Sequence, residues 1–355
     1  MSKARLSLLY DLDLPALHTL MADWGQPDYR ARQIWEWLYV HLADHLDQMT
    51  NLPLALRQRL AEEMPLSVPQ VIASQTSPDG QTRKDLLRLA DGETVETVLM
   101  RYEHRRTACI STQVGCPIGC LFCATGQAGF RRNLSTGEIV AQALHFARVL
   151  RAEGQRLSNV VLMGMGEPLL NEQASMAAIA RMCDPTGFNL GQRHITLSTV
   201  GVVPGIDRLG TGAQQSCTPT LAVSLHAATD ELRDRLVPIN RRYPLDALFA
   251  ACHRYVARTR RRISFEWALI AGVNDTPQQA EALAARLVGL LAHVNLIPLN
   301  PTPGYDGQPP SPAAIAAFTA ILDRRRVPYT VRLRRGIEIQ AGCGQLRHRH
   351  GGESL

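Results

Sequence analysis

At 355 residues and 39.2 kDa, with 45% apolar side chains, the chain is long enough for two or three domains and can bury at least one sizeable core. That excludes a disordered chain and a small scaffold held together by disulfides. Thirty-eight basic side chains against 32 acidic ones give a net charge of +6, and only Lys3 and Lys84 among them are lysine. Nearly all the positive charge is therefore guanidinium, which suits bidentate phosphate contacts and stacking on bases, although charge alone names no partner.

The opening stretch MSKARLSLLYDLDLP lacks a basic region followed by a long apolar core, and no apolar run approaches the ~18 residues of a membrane span. The expectation is a soluble cytoplasmic protein without membrane contact, whose eight Cys are reduced thiols open to metal ligation or redox chemistry. From Leu14 to about Leu66, LPALHTLMADWG, PDYRARQIWEWLYVHLADHL and LPLALRQRLAEEM carry apolar residues at three- and four-residue spacing with Pro near the starts, which predicts helices. Trp24, Trp35 and Trp37 fall here beside Tyr29 and Arg30. Trp at helical spacing is more often core than an RNA platform, and core is the reading preferred. Residues 1–70 thus form a helical domain. Residues 71–106 read as a strand-rich connector, in which KDLLRL, ETVETVLMRY and the start of RRTACIST are separated by the turn signals SPDG and ADGE.

From Thr107 the strands TACIST, NVVLMG, HITLSTV, TLAVSLHA, ISFEWALI, HVNLIPLN and YTVRLRR alternate with helical stretches. This pattern predicts an α/β fold with a parallel sheet and right-handed crossovers, a partial or complete β/α barrel over residues 107–340 rather than an open doubly wound sheet. A C-terminal loop follows over 341–355. The polar motifs fall at the strand ends: a Cys cluster after the first strand, GMGEP after the second, Ser198 and Thr199 in the third, SLH in the fourth, Asn274-Asp275 after the fifth and Asn300 ending the sixth. In a barrel these ends meet on one face, where such folds place their chemistry.

Cys116, Cys120 and Cys123 form C-x3-C-x2-C in a loop that begins at Gly115. A structural zinc site normally takes four ligands, and no fourth lies nearby. Three Cys suit an iron-sulfur cube that keeps one iron open, and an open iron can chelate the amino and carboxylate groups of S-adenosylmethionine. In GMGEP, Gly164 and Gly166 would let the backbone approach a ligand, and Glu167 could accept from the cofactor's ammonium. Cys343, between Gly342 and Gly344, and Cys109, in the first strand, stand apart by position; Cys183, Cys217 and Cys252 read as small buried hydrophobes.

The string CISTQVGCPIGCLFCATGQAGFRRNLSTGEIVAQ resembles the RlmN/Cfr family of radical S-adenosylmethionine methyltransferases that modify RNA adenines. Further matches are MTNLP, the VETV of residues 95–98, MGMGEPLLN, LSTVGVVP, SLHA, VPIN, GVND, NLIPLNP and AGCGQL, in order over essentially the whole chain. The resemblance implies one 4Fe-4S cluster per chain on Cys116, Cys120 and Cys123. It implies that S-adenosylmethionine, two molecules per turnover, is contacted by Gly166, Glu167, Ser198, Ser224, Leu225, His226 and Asn300. It also implies that Cys343 carries a methyl group, that Cys109 is the resolving thiol, and that Glu96 accepts a proton. A lone Glu in a β-hairpin is ordinarily solvated surface, and His226 reads as an orienting or backbone group ahead of a general base.

The substrates implied are 23S rRNA near the peptidyl-transferase centre and the adenine beside the anticodon in tRNA. A flavodoxin or ferredoxin would be the reductant, and the enzyme a monomer. Carbon 2 of adenine is the preferred target, on MTNLP and the N-terminal stretch; carbon 8 is the alternative. Rivals of other classes are a radical activase acting on a protein and a zinc-bound, non-enzymatic RNA-binding protein. Arg clusters at 105–106, 131–132, 258–262, 324–326 and 332–335, with RHRH at 347–350, are candidates for phosphate contact, only some of which would be used.

Overall fold

The computed structural model describes residues 8–209, 211, 217–332, 336, 338–342 and 344–346. Three helices come first: α1 (Leu14–Asp23), α2 (Tyr29–Tyr39) and α3 (Leu54–Glu63). The Asp13 side chain caps α1 by accepting from Ala16 N at 2.8 Å. In α2 the buried residues Ala31, Ile34, Trp35 and Leu38 recur at helical spacing on one face, so the core reading holds in full for Trp35. Trp24 and Trp37 keep part of their rings in solvent. Arg59 lies over Trp24, and Trp37 Nε1 donates to Asn51 Oδ1 at 2.7 Å.

Next come β1 (Gln70–Thr76), β2 (Thr82–Arg88), β3 (Thr94–Arg101) and β4 (Arg106–Cys109), an antiparallel meander. A hairpin of β5 (Gln113–Gly115) and β6 (Phe130–Asn133) encloses the short helix α4 (Ala124–Gln127). The chain then alternates: α5 (Thr136–Ala152), β7 (Asn159–Leu162), α6 (Glu172–Cys183), β8 (Ile195–Thr199), α7 (Val203–Arg208) and β9 (Thr220–Ser224). It continues with α8 (Asp230–Leu236), α9 (Leu245–Thr259), β10 (Ile263–Leu269), α10 (Pro277–Arg286), β11 (Ala292–Pro298), α11 (Pro312–Arg324) and β12 (Tyr329–Val331). All seven strand runs expected from Thr107 onward are present.

The main sheet runs β1-β2-β3-β4-β7-β8-β9-β10-β11-β12, parallel from β4 to β12. Among the described residues no pairing joins β12 back to β4, so the barrel is partial. The segment read as a connector is continuous with it, since β3 pairs with β4 through Val98 and Cys109. Along the parallel strands alternate residues such as Cys109, Val161, Ser198, Ser224, Glu266 and Asn295 face one cavity of about 340 Å³.

Guanidinium groups join the helical domain to the barrel. Arg148 donates to Leu42 O at 2.7 Å and Ala43 O at 2.9 Å, Arg151 to Val40 O and His41 O, and Arg181 to Tyr10 O and Asp11 O. Each fork satisfies carbonyls that helix ends and turns leave without a backbone partner. Gly137 permits the close approach, because a Cβ there would lie 2.8 Å from Tyr10 Cβ.

Cys183 and Cys217 form a disulfide, which corrects the expectation of reduced, isolated thiols at these positions. The end of α6 and the segment entering β9 bring their Cα atoms to 6.2 Å, a proximity that a sequence separation of 34 conceals. Cys252 is buried in the core, as expected, and burial pushes its thiol up to about 12.

On the face of β2 away from the cavity, Asp85 accepts from Ser74 Oγ at 2.6 Å and Arg83 Nε at 2.9 Å, and pairs with His145 Nε2 of α5 at 2.6 Å. Burial works to raise this carboxyl, but the hydrogen bonds from His145, Arg83 and Ser74 outweigh it and hold the group below the usual carboxylate range. Asp85→Ala strips three donors of their acceptor and is expected to cost about 3 kcal/mol, read as a lower urea midpoint at unchanged slope. The wild-type advantage is present above the ordinary carboxylate pKa and is lost as pH falls through the depressed folded value. An unchanged midpoint at pH 7 would show that the network contributes nothing.

Candidate active site

After β4 the chain enters the β5–β6 hairpin, and the loop inside it carries the three Cys. Gly115 has φ +76° and no room for a side chain, since a Cβ would lie 1.8 Å from Gly129 O; Cys116 N donates to that same oxygen at 3.0 Å. Cys123 N donates to Cys120 O at 3.2 Å, and Leu121 N reaches Leu236 O at 3.0 Å, so the loop is held from both sides. All three thiols line the cavity with Phe122. Burial pushes the Cys116 thiol up to about 12, aided by the charges of Cys123 and Glu167, and raises Cys120 well above its ordinary value. Three neighbouring thiols so placed ionise together only around a cationic group, which suits a soft metal centre. Among the described residues no three His, Cys, Asp or Glu are arranged to hold one metal ion. Three thiolates are the donor set of an iron-sulfur cube that keeps one iron open, and the residues present fit such a cluster.

The strand ends complete the wall. Glu167, buried after β7, accepts from Leu169 N at 3.0 Å and from Val200 N at 2.8 Å, and burial raises its carboxyl to about 7 against these bonds. The glycines before it line the cavity and also serve the packing of this loop. A Cβ on Gly164 would lie 2.7 Å from Ile110 C, and one on Gly166 would lie 2.6 Å from Gln113 Cβ. They let this loop pack on the segment leaving β4, and the cavity lining follows from that packing. Ser198 and Ser224 face each other across β8 and β9 with hydroxyls 3.4 Å apart. Leu225 is buried, and its N–H donates to Glu266 O at 3.0 Å.

His226 adopts φ +62°, and its Nδ1 accepts from Ala268 N at 2.9 Å. That bond requires a lone pair on Nδ1, so the neutral ring carries its proton on Nε2. Burial, with Arg233 nearby, lowers its pKa to about 3. With its lone pair engaged, the ring keeps an N–H to donate and no free base nitrogen. Asn274 fixes the turn by donating to His226 O at 2.8 Å and Ala268 O at 2.6 Å.

Arg233, fully buried on α8, escaped the sequence reading although it stands just before the VPIN match. It donates to Leu225 O at 3.0 Å, Val200 O at 2.6 Å, Ser224 O at 3.2 Å and Asn240 Oδ1 at 2.9 Å, tying together the ends of β8 and β9. Burial lowers its pKa to about 10. No local signal marks it, because three of its four partners are main-chain carbonyls.

Cys109 faces the cavity from β4, and its carbonyl accepts from Thr97 Oγ1 at 2.8 Å. Glu96 is 0% exposed, which corrects the view of it as a solvated hairpin residue; Lys84 Nζ sits 3.3 Å from its Oε1. The C-terminal segment is docked on this side. Gly344 O accepts from Ala124 N at 2.8 Å, Gln345 Nε2 donates to Pro301 O at 3.0 Å, and Gly342 packs so tightly on Asn300 that a Cβ would lie 2.7 Å from its Nδ2. Gly342 and Gly344 line the same cavity as the Cys triad. Cys343 itself lies outside the described residues, as do the RHRH stretch and Arg334-Arg335.

Several Arg clusters have partners within the chain: Arg132 pairs with Asp91 and Glu138, Arg131 with Glu93, and Arg324 and Arg325 with Glu281. Arg105 lies over the Tyr102 ring at 4.1 Å and lines the cavity.

A partial parallel barrel with a three-Cys loop after its first parallel strand defines the radical S-adenosylmethionine superfamily, whose family model matches residues 110–285. Residues 8–66 match the N-terminal domain of ribosomal RNA large subunit methyltransferases. The chain is 52% identical to a probable dual-specificity RNA methyltransferase RlmN of Chloroflexus aurantiacus, covering 96% of this chain and 93% of that protein. It is 53% identical to the dual-specificity RNA methyltransferase RlmN 1 of Myxococcus xanthus, covering 96% and 94%. The crystal structure of a radical SAM methyltransferase from Sphaerobacter thermophilus superposes with a TM-score of 0.93 at 51% identity, over 96% of this chain and 99% of that one. The chain belongs to the RlmN family of radical S-adenosylmethionine RNA methyltransferases. With that, the activase and the zinc-bound, non-enzymatic alternatives fall away. Among the described residues no helix is long and apolar enough to cross a membrane.

Proposed function

We propose that the protein methylates carbon 2 of an adenine in 23S rRNA and of the adenine beside the anticodon in tRNA, through a methylated Cys343. The observation that carries this reading is the sharing of one cavity by the Cys116, Cys120 and Cys123 thiols, by Cys109 and by the glycines that flank Cys343 in sequence. Cys116, Cys120 and Cys123 would hold one 4Fe-4S cluster; Gly166, Glu167, Ser198, Ser224, Leu225, His226 and Asn300 would hold S-adenosylmethionine. When bound, these groups supply a methyl group and a 5'-deoxyadenosyl radical, at two S-adenosylmethionine per turnover, with electrons from a flavodoxin or ferredoxin. Carbon 2 of adenine is electron-poor, so polar attack on a sulfonium methyl does not serve, and the carrier thiol gives the methyl carbon a route to the ring.

The chain's own residues do the rest. The Cys343 sulfur holds the carbon that becomes bonded to adenine, giving a protein-RNA adduct. Cys109 attacks that sulfur as a thiolate: the S–S bond forms as the S–C bond breaks, and the electron pair passes to the freed carbon, which takes up a proton to complete the methyl group. Glu96 takes the ring proton displaced by the new C–C bond, while the single electron left from the radical step would return to the group held by Cys116, Cys120 and Cys123. Cellular dithiols then reduce the Cys109–Cys343 disulfide. The enzyme works as a cytoplasmic monomer in this reading, and its domains are helical (1–70), strand-rich (71–106), barrel (107–340) and carrier loop (341–355). The family model for ribosomal RNA methyltransferases and the dual-specificity names of the relatives support the two RNA classes.

Mass spectrometry of digested 23S rRNA and tRNA after reaction with the reconstituted enzyme tests the proposal. 2-Methyladenosine is expected in both; 8-methyladenosine, or no product in tRNA, would overturn the corresponding part.

A further inference from the structure

Lys84 is one of two lysines in a chain whose other basic side chains are all arginine, and it is 1% exposed. An ammonium removed from water costs several kcal/mol unless opposite charge and hydrogen-bond acceptors surround it. Here both are present: Lys84 Nζ lies 3.3 Å from Glu96 Oε1 and 3.3 Å from Gln340 O. The antiparallel register sets Lys84 opposite Val98 and Leu86 opposite Glu96, so Lys84 and Glu96 are diagonal neighbours on one face of β2 and β3. The third party comes from far along the chain. Gln340 adopts φ +51°, a conformation costly for a residue with a Cβ, and the turn is closed by Ala341 N donating to Gly336 O at 2.7 Å. The strained turn presents its carbonyl to the ammonium three residues before Cys343. A guanidinium, planar and wide, does not replace a compact ammonium whose tetrahedral donors diverge toward a carboxylate on one side and a carbonyl on the other.

We propose that Lys84 is a positioning residue that fixes the Glu96 carboxylate relative to the segment bearing Cys343, so that proton acceptor and carrier thiol are presented to the adenine in one register. The proposal rests on the reading of Glu96 as the proton acceptor. Lys84 does not touch the reacting atoms; it neutralises the charge of a buried carboxylate and fixes its direction. The segment keeps its independent anchors at Ala124 and Pro301 when the ammonium is lost, so loading of Cys343 persists while proton removal fails.

The test uses the reconstituted full-length enzyme with substrate RNA and three readouts: protein-RNA adduct on a denaturing gel, methylation of the Cys343 peptide by mass spectrometry, and methylated adenosine. Glu96→Gln is expected to accumulate the adduct. Lys84→Met is expected to do the same, with Cys343 methylation at the wild-type level and release slowed about a hundredfold, the scale of a misplaced general base. In Lys84→Ala, added ethylammonium is expected to restore release about tenfold where the same concentration of potassium chloride does not, because a small cation re-enters the vacated site. Trapping in Glu96→Gln together with free turnover in Lys84→Met overturns the role of Lys84 alone. Free turnover in Glu96→Gln overturns the underlying reading of Glu96. If Lys84→Met fails to fold, the comparison passes to Lys84→Ala: rescue by ethylammonium and not by salt upholds the proposal, and equal response to both overturns it.

Discussion

Cys120→Ala is expected to abolish cluster assembly and methyl transfer together. Cys120 is the most buried of the three thiols, and burial holds its pKa far above the ordinary value until a cationic centre is present. Removing its sulfur leaves two ligands for a cube that already works with three, and an iron without a thiolate is lost to solvent. The fold should survive, because only one small apolar atom leaves a site packed by Ile118, Phe122 and Ala227, at a cost of about 1 kcal/mol. Anaerobic reconstitution should give about four iron and four sulfide per wild-type chain and under about one in the variant, with methyladenosine falling at least about a thousandfold. A circular dichroism melt within a few degrees of wild type separates loss of the cluster from loss of the fold. Stoichiometric zinc in the wild-type protein, or a full cluster in the variant, would refute the assignment.

Cys109→Ala should stop the reaction one step from completion. Its thiol lines the cavity from β4, while the strand is held by main-chain pairing with Val98 and Val161 and by Thr97 at its carbonyl. The substitution therefore removes a nucleophile and little else. Adduct is expected in near-stoichiometric yield with turnover reduced about a thousandfold, and Cys343→Ala should give no adduct at all. The two variants thus fail on opposite sides of one covalent intermediate. Unchanged methylation in Cys343→Ala would dismiss the carrier, and normal turnover in Cys109→Ala would dismiss the resolving thiol.

How far these sites could be read in advance depended on whether their partners were local. Parallel strands in the middle of the sheet appear as mostly apolar runs, which made NVVLMG, TLAVSLHA and ISFEWALI legible, whereas YTVRLRR, a half-exposed edge strand, was legible from its place in the strand-helix alternation. QVIASQT was not, because β1 is a half-exposed edge strand with polar residues on both faces. The Cys triad and GMGEP announce themselves by spacing, yet the reason for the glycines, packing on Ile110 and Gln113, needed the third dimension. Glu96 looked like surface because its partner Lys84 lies on the preceding strand and is itself held by a carbonyl at residue 340. Arg233 and the Cys183–Cys217 bridge left no trace in the sequence, since one acts mostly on main-chain oxygens and the other spans a crossover.

The arginines that clasp the helical domain divide the chain's positive charge into two populations that respond differently to ionic strength. A guanidinium seated on the carbonyls of Leu42, Ala43, Tyr10 or Asp11 faces dipoles across a largely buried joint, where mobile ions do not compete. One that reaches a phosphate displaces condensed counterions and weakens as salt rises. Raising potassium chloride from about 50 to about 200 mM should therefore release RNA by orders of magnitude and leave the melting temperature almost where it was. Arginines whose replacement lowers the melting temperature belong to the architecture, and those whose replacement flattens the salt slope belong to the RNA.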